Sequence, residues 1–141
     1  MTTSPRPTDR PPSGPRASGP ALEAMYQLLL WLIPTVEKFP RSQKFLLGDR
    51  IQSTALDTLD YLIAATFTRA RRGHLDAANL GLERLRVLLR LANDLRHLDH
   101  RRYEHAARLI DATGRLVGGW RKAQMRHDEG DSIVPDGDPS G

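Results

Sequence analysis

The stretch from residue 75 to residue 122 constrains the fold most strongly, because its apolar side chains recur every three or four residues. One series runs through its first half and a second series through its second half: Leu75, Ala78, Leu82, Leu85, Leu89 and Ala92, then Tyr103, Ala106, Ile110, Thr113, Val117 and Trp120. This spacing places each series on one face of an α-helix. The stretch therefore predicts two amphipathic helices that bury these faces.

The later helix also carries a series of cations spaced by seven residues, namely Arg101, Arg108, Arg115 and Lys122. Seven residues make almost two turns, so these side chains line up, and they fall on the side away from the apolar series. Arg86 and Arg90 lie one turn apart on the preceding helix. Aligned cations suit a phosphate backbone, so these six residues are our candidate nucleic-acid-binding residues. The alternative is a solvated face, partly neutralised by Glu83, Asp94, Glu104 and Asp111.

Four helices are predicted in all, over residues 21–38, 42–72, 75–97 and 101–125. Phe39-Pro40 separates the first two, because the residue before a proline is pushed out of the helical region. Gly73 is expected to cap the second helix, with Arg69, Arg71 and Arg72 favoured by the helix dipole in its last turn. Short connections and the absence of strand patterns predict an all-α, antiparallel four-helix bundle.

Composition divides the 141 residues into a folded body and two tails. Residues 1–20 hold six prolines, and residues 127–141 hold five acids and no Lys or Arg, so we expect both tails to be disordered. Residues 21–126 hold 18 Lys and Arg against 11 Asp and Glu, a net charge of +7. A basic body of this kind favours a polyanionic partner.

Several classes of protein are disfavoured by what the sequence lacks. It has no Cys, which excludes a disulfide framework, a thiolate zinc site and a thiol nucleophile. It has no signal peptide pattern and no apolar run long enough to cross a bilayer, so a cytoplasmic protein is expected. The histidines His97, His100 and His105 straddle a helix junction, and solvated histidines are a better interpretation than a metal site. We expect no metal, no cofactor and no catalytic residue.

The first and last helices carry the signals for self-association. The first helix is apolar on several sides around Trp31, which suits either a subunit interface or completion of the monomer's core. The last helix holds Gly114, Gly118 and Gly119, which weaken a helix unless close packing compensates. We therefore assign Trp31, Gly118 and Trp120 to a candidate oligomer interface, in which Trp120 fills the space beside the glycines.

Several segments of residues 21–124 resemble one known family. They are Phe39-Pro40-Arg41, the GLxxLRxxLRxA segment of residues 81–92, Glu104-x-Ala106, and the GRxxGxW segment of residues 114–120. In these segments the chain is similar to Avd, the accessory variability protein of diversity-generating retroelements. It also resembles the wider four-helix group that includes proteins encoded in intervening sequences of 23S ribosomal RNA genes.

The resemblance implies a fold, an assembly and a set of partners. Avd proteins are four-helix bundles that form homopentameric barrels with a basic surface, and they bind the retroelement's reverse transcriptase and its template RNA. The complex makes adenine-mutagenised cDNA, and Avd is not the polymerase. Carried over by motif, Arg86, Arg90 and Arg115 are the matching basic positions, whereas Arg101, Arg108 and Lys122 rest on the cation row alone.

Two alternatives stay open beside an Avd-like adaptor. Arg90 and His97 are separated by six residues, an arrangement similar to the Arg-x(4–6)-His motif of HEPN-type ribonucleases. In that case His97 would act on the 2′-hydroxyl and Arg90 on the phosphate charge. The other alternative is a protein-binding scaffold of the ribosomal intervening-sequence group, whose basic face is only solvated.

Overall fold

Four long helices make up the fold. The computed structural model of the chain describes residues 18–133, including the side chains of residues 19–130. The helices are α1 (Ser18–Val36), α2 (Asp49–Phe67), α3 (Arg72–Asp94) and α4 (His100–Ile133), and a helical turn (Arg41–Gln43) and a π-helical segment (Lys44–Gly48) lead into α2. No strand occurs within residues 18–133. The expected all-α class is confirmed.

The helices bury the apolar series that the sequence placed on their inner faces. α1 packs against α2 and α4, and α3 packs against the same two helices on the other side of the core. The whole α3 series, from Leu75 to Ala92, is buried, and so is the α4 series except for the half-buried Tyr103. Full burial of a leucine-sized side chain stabilises a fold by about 1.5–3 kcal/mol. The bundle is therefore held mainly by these inner faces.

The α2–α3 connection differs from the expected one. α2 ends at Phe67 because Thr68 adopts an extended backbone (φ −127°, ψ 145°), and Gly73 lies in the first turn of α3 instead of capping α2. The expectation that Arg69, Arg71 and Arg72 close α2 is therefore wrong. Other contacts hold Arg71: its Nε donates to the Thr68 carbonyl oxygen at 3.1 Å, and its guanidinium lies 5.9 Å from the centre of the Trp120 ring.

The end of α3 also differs from the expected one, because the helix stops at Asp94 and not at residue 97. Arg96 has a positive φ of 67°. The Arg96 N–H donates to the Asn93 carbonyl oxygen at 3.0 Å, and the His97 N–H donates to the Ala92 carbonyl oxygen at 2.9 Å. These two bonds form a Schellman motif, which usually has glycine at the left-handed position. Because an arginine occupies this position, the sequence did not indicate that the helix ends here.

The outer ends of α1 and α4 extend beyond the predicted body. α1 begins at Ser18, so the last residues of the Pro-rich tail are helical, and α4 continues to Ile133. Disorder was expected from residue 127 onward, and for residues 127–133 that expectation is wrong. Gly130 within this stretch lowers helix propensity but does not end the helix. The rest of the expected tails, residues 1–17 and 134–141, lies outside the described residues.

Candidate nucleic-acid interface

The outer side of α4 presents the predicted row of cations to solvent. Arg101, Arg108, Arg115 and Lys122 are all exposed, and none of them forms an ion pair with another residue of the described range. Successive members are separated by about 10 Å along the axis, from a rise of 1.5 Å per residue. We call these four residues the cation row. Its orientation follows from the buried inner face of α4.

The acids that accompany the cation row are engaged elsewhere. Oε2 of Glu104 lies 3.0 Å from Nε2 of His100, and Asp111 accepts a hydrogen bond from Nη1 of Arg86 at 2.5 Å. No acid occurs on α4 between Asp111 and Asp128. The charges of Arg115 and Lys122 are therefore the least compensated of the row. Exposed cations without a local partner are available to phosphate oxygens.

Arg86 does not belong to this available set. Arg86 pairs with Asp111 and also with Glu83, whose Oε1 lies 3.5 Å from its Nε. Its side chain is 32% exposed. The hydrogen bond to Asp111, with the attraction of both carboxylates, raises the pKa of Arg86 above its ordinary value. Arg86 thus joins α3 to α4 as a structural cation, and a phosphate would have to displace a carboxylate to reach it.

Arg90 is more accessible than Arg86. Its side chain is 72% exposed, and Nε lies 4.0 Å from Oδ2 of Asp94, which is at the limit of an ion pair. Exposed pairs of this kind are worth about 0–1 kcal/mol. Arg90 can therefore exchange Asp94 for a phosphate at little cost.

Arg126 is a cation that the sequence analysis left out. It is exposed, lies four residues after Lys122, and belongs to α4 because that helix continues to Ile133. Residues four apart are neighbours on a helix surface. Glu129, seven residues after Lys122, ends the positive run. The missed signal was the absence of any proline between Met125 and Ile133.

Arg90 and His97, the two residues of the ribonuclease alternative, have different neighbours. His97 lies beyond the end of α3, so the two residues do not share a helix. The His97 ring lies 6.2 Å from the Phe39 ring, whereas Arg90 faces Asp94. No hydrogen bond or ion pair joins them within residues 18–133.

The histidines at the same end of the bundle make separate contacts. His105 lies against Trp31 at a ring distance of 5.0 Å, and His100 pairs with Glu104. No group of three or more potential metal ligands converges in the described part of the chain.

The three candidate interface residues lie in different environments. Trp120 is 2% exposed and belongs to the core, so its indole is closed to a partner subunit, and we correct its assignment to an interface. Trp31 is half-buried and packs against His105. A Cβ added at Gly118 would meet nothing within 4 Å, and the same holds for Gly114 and Gly119. Close packing within the chain therefore does not account for these glycines.

Comparisons with known proteins identify the family. No helix within residues 18–133 combines the length and apolarity needed to span a membrane. No curated protein matches the chain. A family model described as bAvd-like matches residues 21–124, which include most of each of the four long helices and the whole cation row. The chain therefore belongs to the bAvd-like family.

Proposed function

We propose that the protein is a non-catalytic, nucleic-acid-binding accessory protein of a diversity-generating retroelement. In this role it holds the element's reverse transcriptase and template RNA together during mutagenic retrohoming in the cytoplasm. The observation that carries the proposal is the cation row on α4, exposed and without ion pairs, in a chain that belongs to the bAvd-like family. The contacts of Arg90 and His97 give the ribonuclease alternative no support.

The proposed binding mechanism is electrostatic. Arginines and lysines neutralise phosphates and release condensed counterions, so affinity falls steeply with salt. Phosphate contacts position a nucleic acid without reading its sequence. Arg101, Arg108, Arg115 and Lys122 form the proposed interface, together with Arg90 and Arg126. Arg86 takes a supporting part, because it already holds Asp111 and Glu83.

An antiparallel arrangement of the helices supports a continuous basic surface. The two ion pairs between α3 and α4 join Arg86 to Asp111 and Asp76 to Arg121. Residue numbers fall along α3 as they rise along α4, which is the register of antiparallel neighbours. Arg90, one turn beyond Arg86, then lies beside the α4 segment that begins the cation row.

A ring of subunits would multiply the modest affinity of one such surface. The resemblance to Avd implies a homopentamer, and we propose a ring-like homo-oligomer for this chain. Repeated sites on one particle raise the effective concentration of each site for a bound strand, so avidity exceeds the affinity of one subunit.

The test compares two double charge reversals with the same change in net charge. The first, Arg115→Glu with Lys122→Glu, removes two members of the cation row. The second, Lys38→Glu with Arg41→Glu, changes exposed cations at the α1–α2 corner. Reversal at Arg86 is avoided, since a glutamate there would face Asp111 and Glu83.

Affinity for the template RNA is then measured as a function of salt. We expect the first variant to lose at least tenfold in low-salt affinity and its salt slope to fall by about 1.4, from about 0.7 per phosphate contact. The second variant should keep most of the wild-type affinity and most of the wild-type salt slope. Equal losses in the two variants would show that only net charge matters, and an unchanged first variant would favour a protein-binding scaffold. A reverse transcriptase gene beside a near-repeat pair that differs at adenines is the matching genomic observation.

A further inference from the structure

A long groove runs between the outer sides of α2 and α3. Three adjoining cavities of about 410, 330 and 260 Å³ lie along it, and Arg50 lines all three. Two of these cavities present mainly apolar surface, and the third, beside Ser53, Asp57 and Tyr61, presents mainly polar surface. The main lining residues of the groove are Leu46, Arg50, Leu80, Arg84, Val87 and Leu91. Val87 is 62% exposed and Leu46 is 70% exposed. We call this feature the α2–α3 groove.

The α2–α3 groove carries positive charge as well as apolar surface. Arg50 and Arg84 are exposed and form no ion pair with any described residue. Of the two acids along the groove, Glu83 pairs with Arg86, and Asp57 lies in the cavity beside Tyr61. An occupant must therefore be apolar and free of cations near Arg50 and Arg84.

The outer side of α1 meets these requirements. Tyr26, Leu30 and Ile33 are 50%, 53% and 37% exposed, and their spacing of four and three residues puts them on one stripe. α1 contains no Lys, Arg or His, and its single charged residue is Glu23, one turn before Tyr26. The other three long helices each carry arginine. Among the four, α1 alone has an outer face without any Lys, Arg or His.

The two surfaces also agree in length. From Leu80 to Leu91 the groove extends about 16 Å, and from Glu23 to Ile33 the α1 stripe extends about 15 Å, at 1.5 Å per residue. The occupied length corresponds to about three helical turns, which suits an amphipathic helix lying in a groove.

We propose that the α2–α3 groove receives the outer stripe of α1 from a second copy of this chain. Tyr26, Leu30 and Ile33 pack on Leu80, Val87 and Leu91, and Glu23 offsets the charge of Arg50 and Arg84. This inference rests on the self-assembly in the proposed function and names the surfaces that carry it. The interface uses neither Trp120 nor Gly118, and it leaves the cation row of every subunit open to nucleic acid.

The two surfaces are different parts of one chain, so the contact is head-to-tail. Such a heterologous interface closes into a ring when its rotation permits, whereas a two-fold interface would stop at a dimer. Each subunit in a ring then uses one groove and one stripe.

The test uses one variant on each surface, both at exposed positions where folding is little affected. Val87→Glu places a charge in the apolar part of the groove, and Leu30→Glu places a charge in the apolar centre of the stripe. We expect each variant alone to be a monomer by light scattering. Because each retains the surface that the other lacks, an equimolar mixture should form a species of twice the monomer mass. Phe67→Glu, at an 82% exposed position outside both surfaces, should keep the wild-type mass.

The inference is overturned by a monomeric wild type, by a Val87→Glu or Leu30→Glu variant that keeps the wild-type mass, or by a mixture of these two variants that stays monomeric. Circular dichroism confirms that the variants are folded. The outcome is separable from that of the proposed function, because Arg115→Glu with Lys122→Glu should lose RNA affinity and keep the wild-type mass. Dissociation of Phe67→Glu would indicate unspecific apolar association and would also count against the groove.

Discussion

Gly81 provides the sharpest test of how α2 and α3 pack. A Cβ built on Gly81 would lie 2.2 Å from Oγ1 and 3.3 Å from Cβ of Thr58. Thr58 is fully buried, and its Oγ1 donates to the Thr54 carbonyl oxygen at 2.8 Å. The missing side chain at residue 81 is therefore what lets α3 approach α2 so closely.

The change is Gly81→Ala, and its effect on the free energy of unfolding follows from these distances. Alanine gains about 1 kcal/mol over glycine in a helix interior. The Thr58 hydroxyl must move by more than 1 Å to reach an ordinary contact, and overpacking of a core costs about 1–3 kcal/mol. A buried hydroxyl that loses its partner costs about 1–3 kcal/mol more. We expect a net loss of about 2 kcal/mol in the free energy of unfolding, which lowers Tm by roughly 6–10 °C.

Two further variants isolate the cause. Gly114→Ala is the matched control, because an added Cβ there meets nothing within 4 Å and only the gain of about 1 kcal/mol remains. Thr58→Ala removes Oγ1 and Cγ2, so in the Gly81→Ala background it should recover about 1–2 kcal/mol, measured as the coupling in a double-mutant cycle. Unfolding is followed by circular dichroism with heat and urea. If Gly81→Ala were as stabilising as Gly114→Ala, the close approach would be refuted.

Two other predictions concern the connection between α3 and α4. Arg96→Gly should raise the free energy of unfolding by about 0.5–1 kcal/mol, because glycine adopts the left-handed backbone at this position without strain. Arg90→Gly within α3 is the control and should lower the free energy of unfolding by about 1 kcal/mol. Urea midpoints that shift in the same direction in the two variants would contradict this. Asp99 caps α4, since Oδ1 accepts the Arg102 N–H at 2.8 Å, and this bond, with the Arg102 guanidinium, lowers the pKa of Asp99. A lowered carboxyl pKa stabilises the fold above the ordinary carboxyl range, and the contribution is lost as the pH falls through the folded-state value. Asp99→Asn should therefore show a smaller drop in Tm than the wild type between neutral pH and about pH 3, and an identical drop would exclude this role.

The sequence by itself determined the helical class and the direction of the inner and outer faces. Apolar side chains at helical spacing are buried only when that face of the helix packs inward, and residues on the opposite face then point to solvent. For this reason the exposure of Arg101, Arg108, Arg115 and Lys122 was predictable before any coordinates. The bAvd-like motifs lie on the same helices, which is why the family could be inferred from residues 81–92 and 114–120.

Only the tertiary structure decided which charges are free and where the helices stop. Arg86 and Arg90 are one turn apart and look alike in sequence. Yet Arg86 pairs with Glu83 and with Asp111 of the neighbouring helix, whereas Arg90 is largely exposed and has only Asp94 at 4.0 Å. Trp120 changed from a candidate interface residue to a core residue for the same reason. The end of α3 at Asp94 is set by a hydrogen-bonded motif that does not require its usual glycine. Such features depend on contacts between distant residues and on backbone geometry, and local spacing carries no information about either.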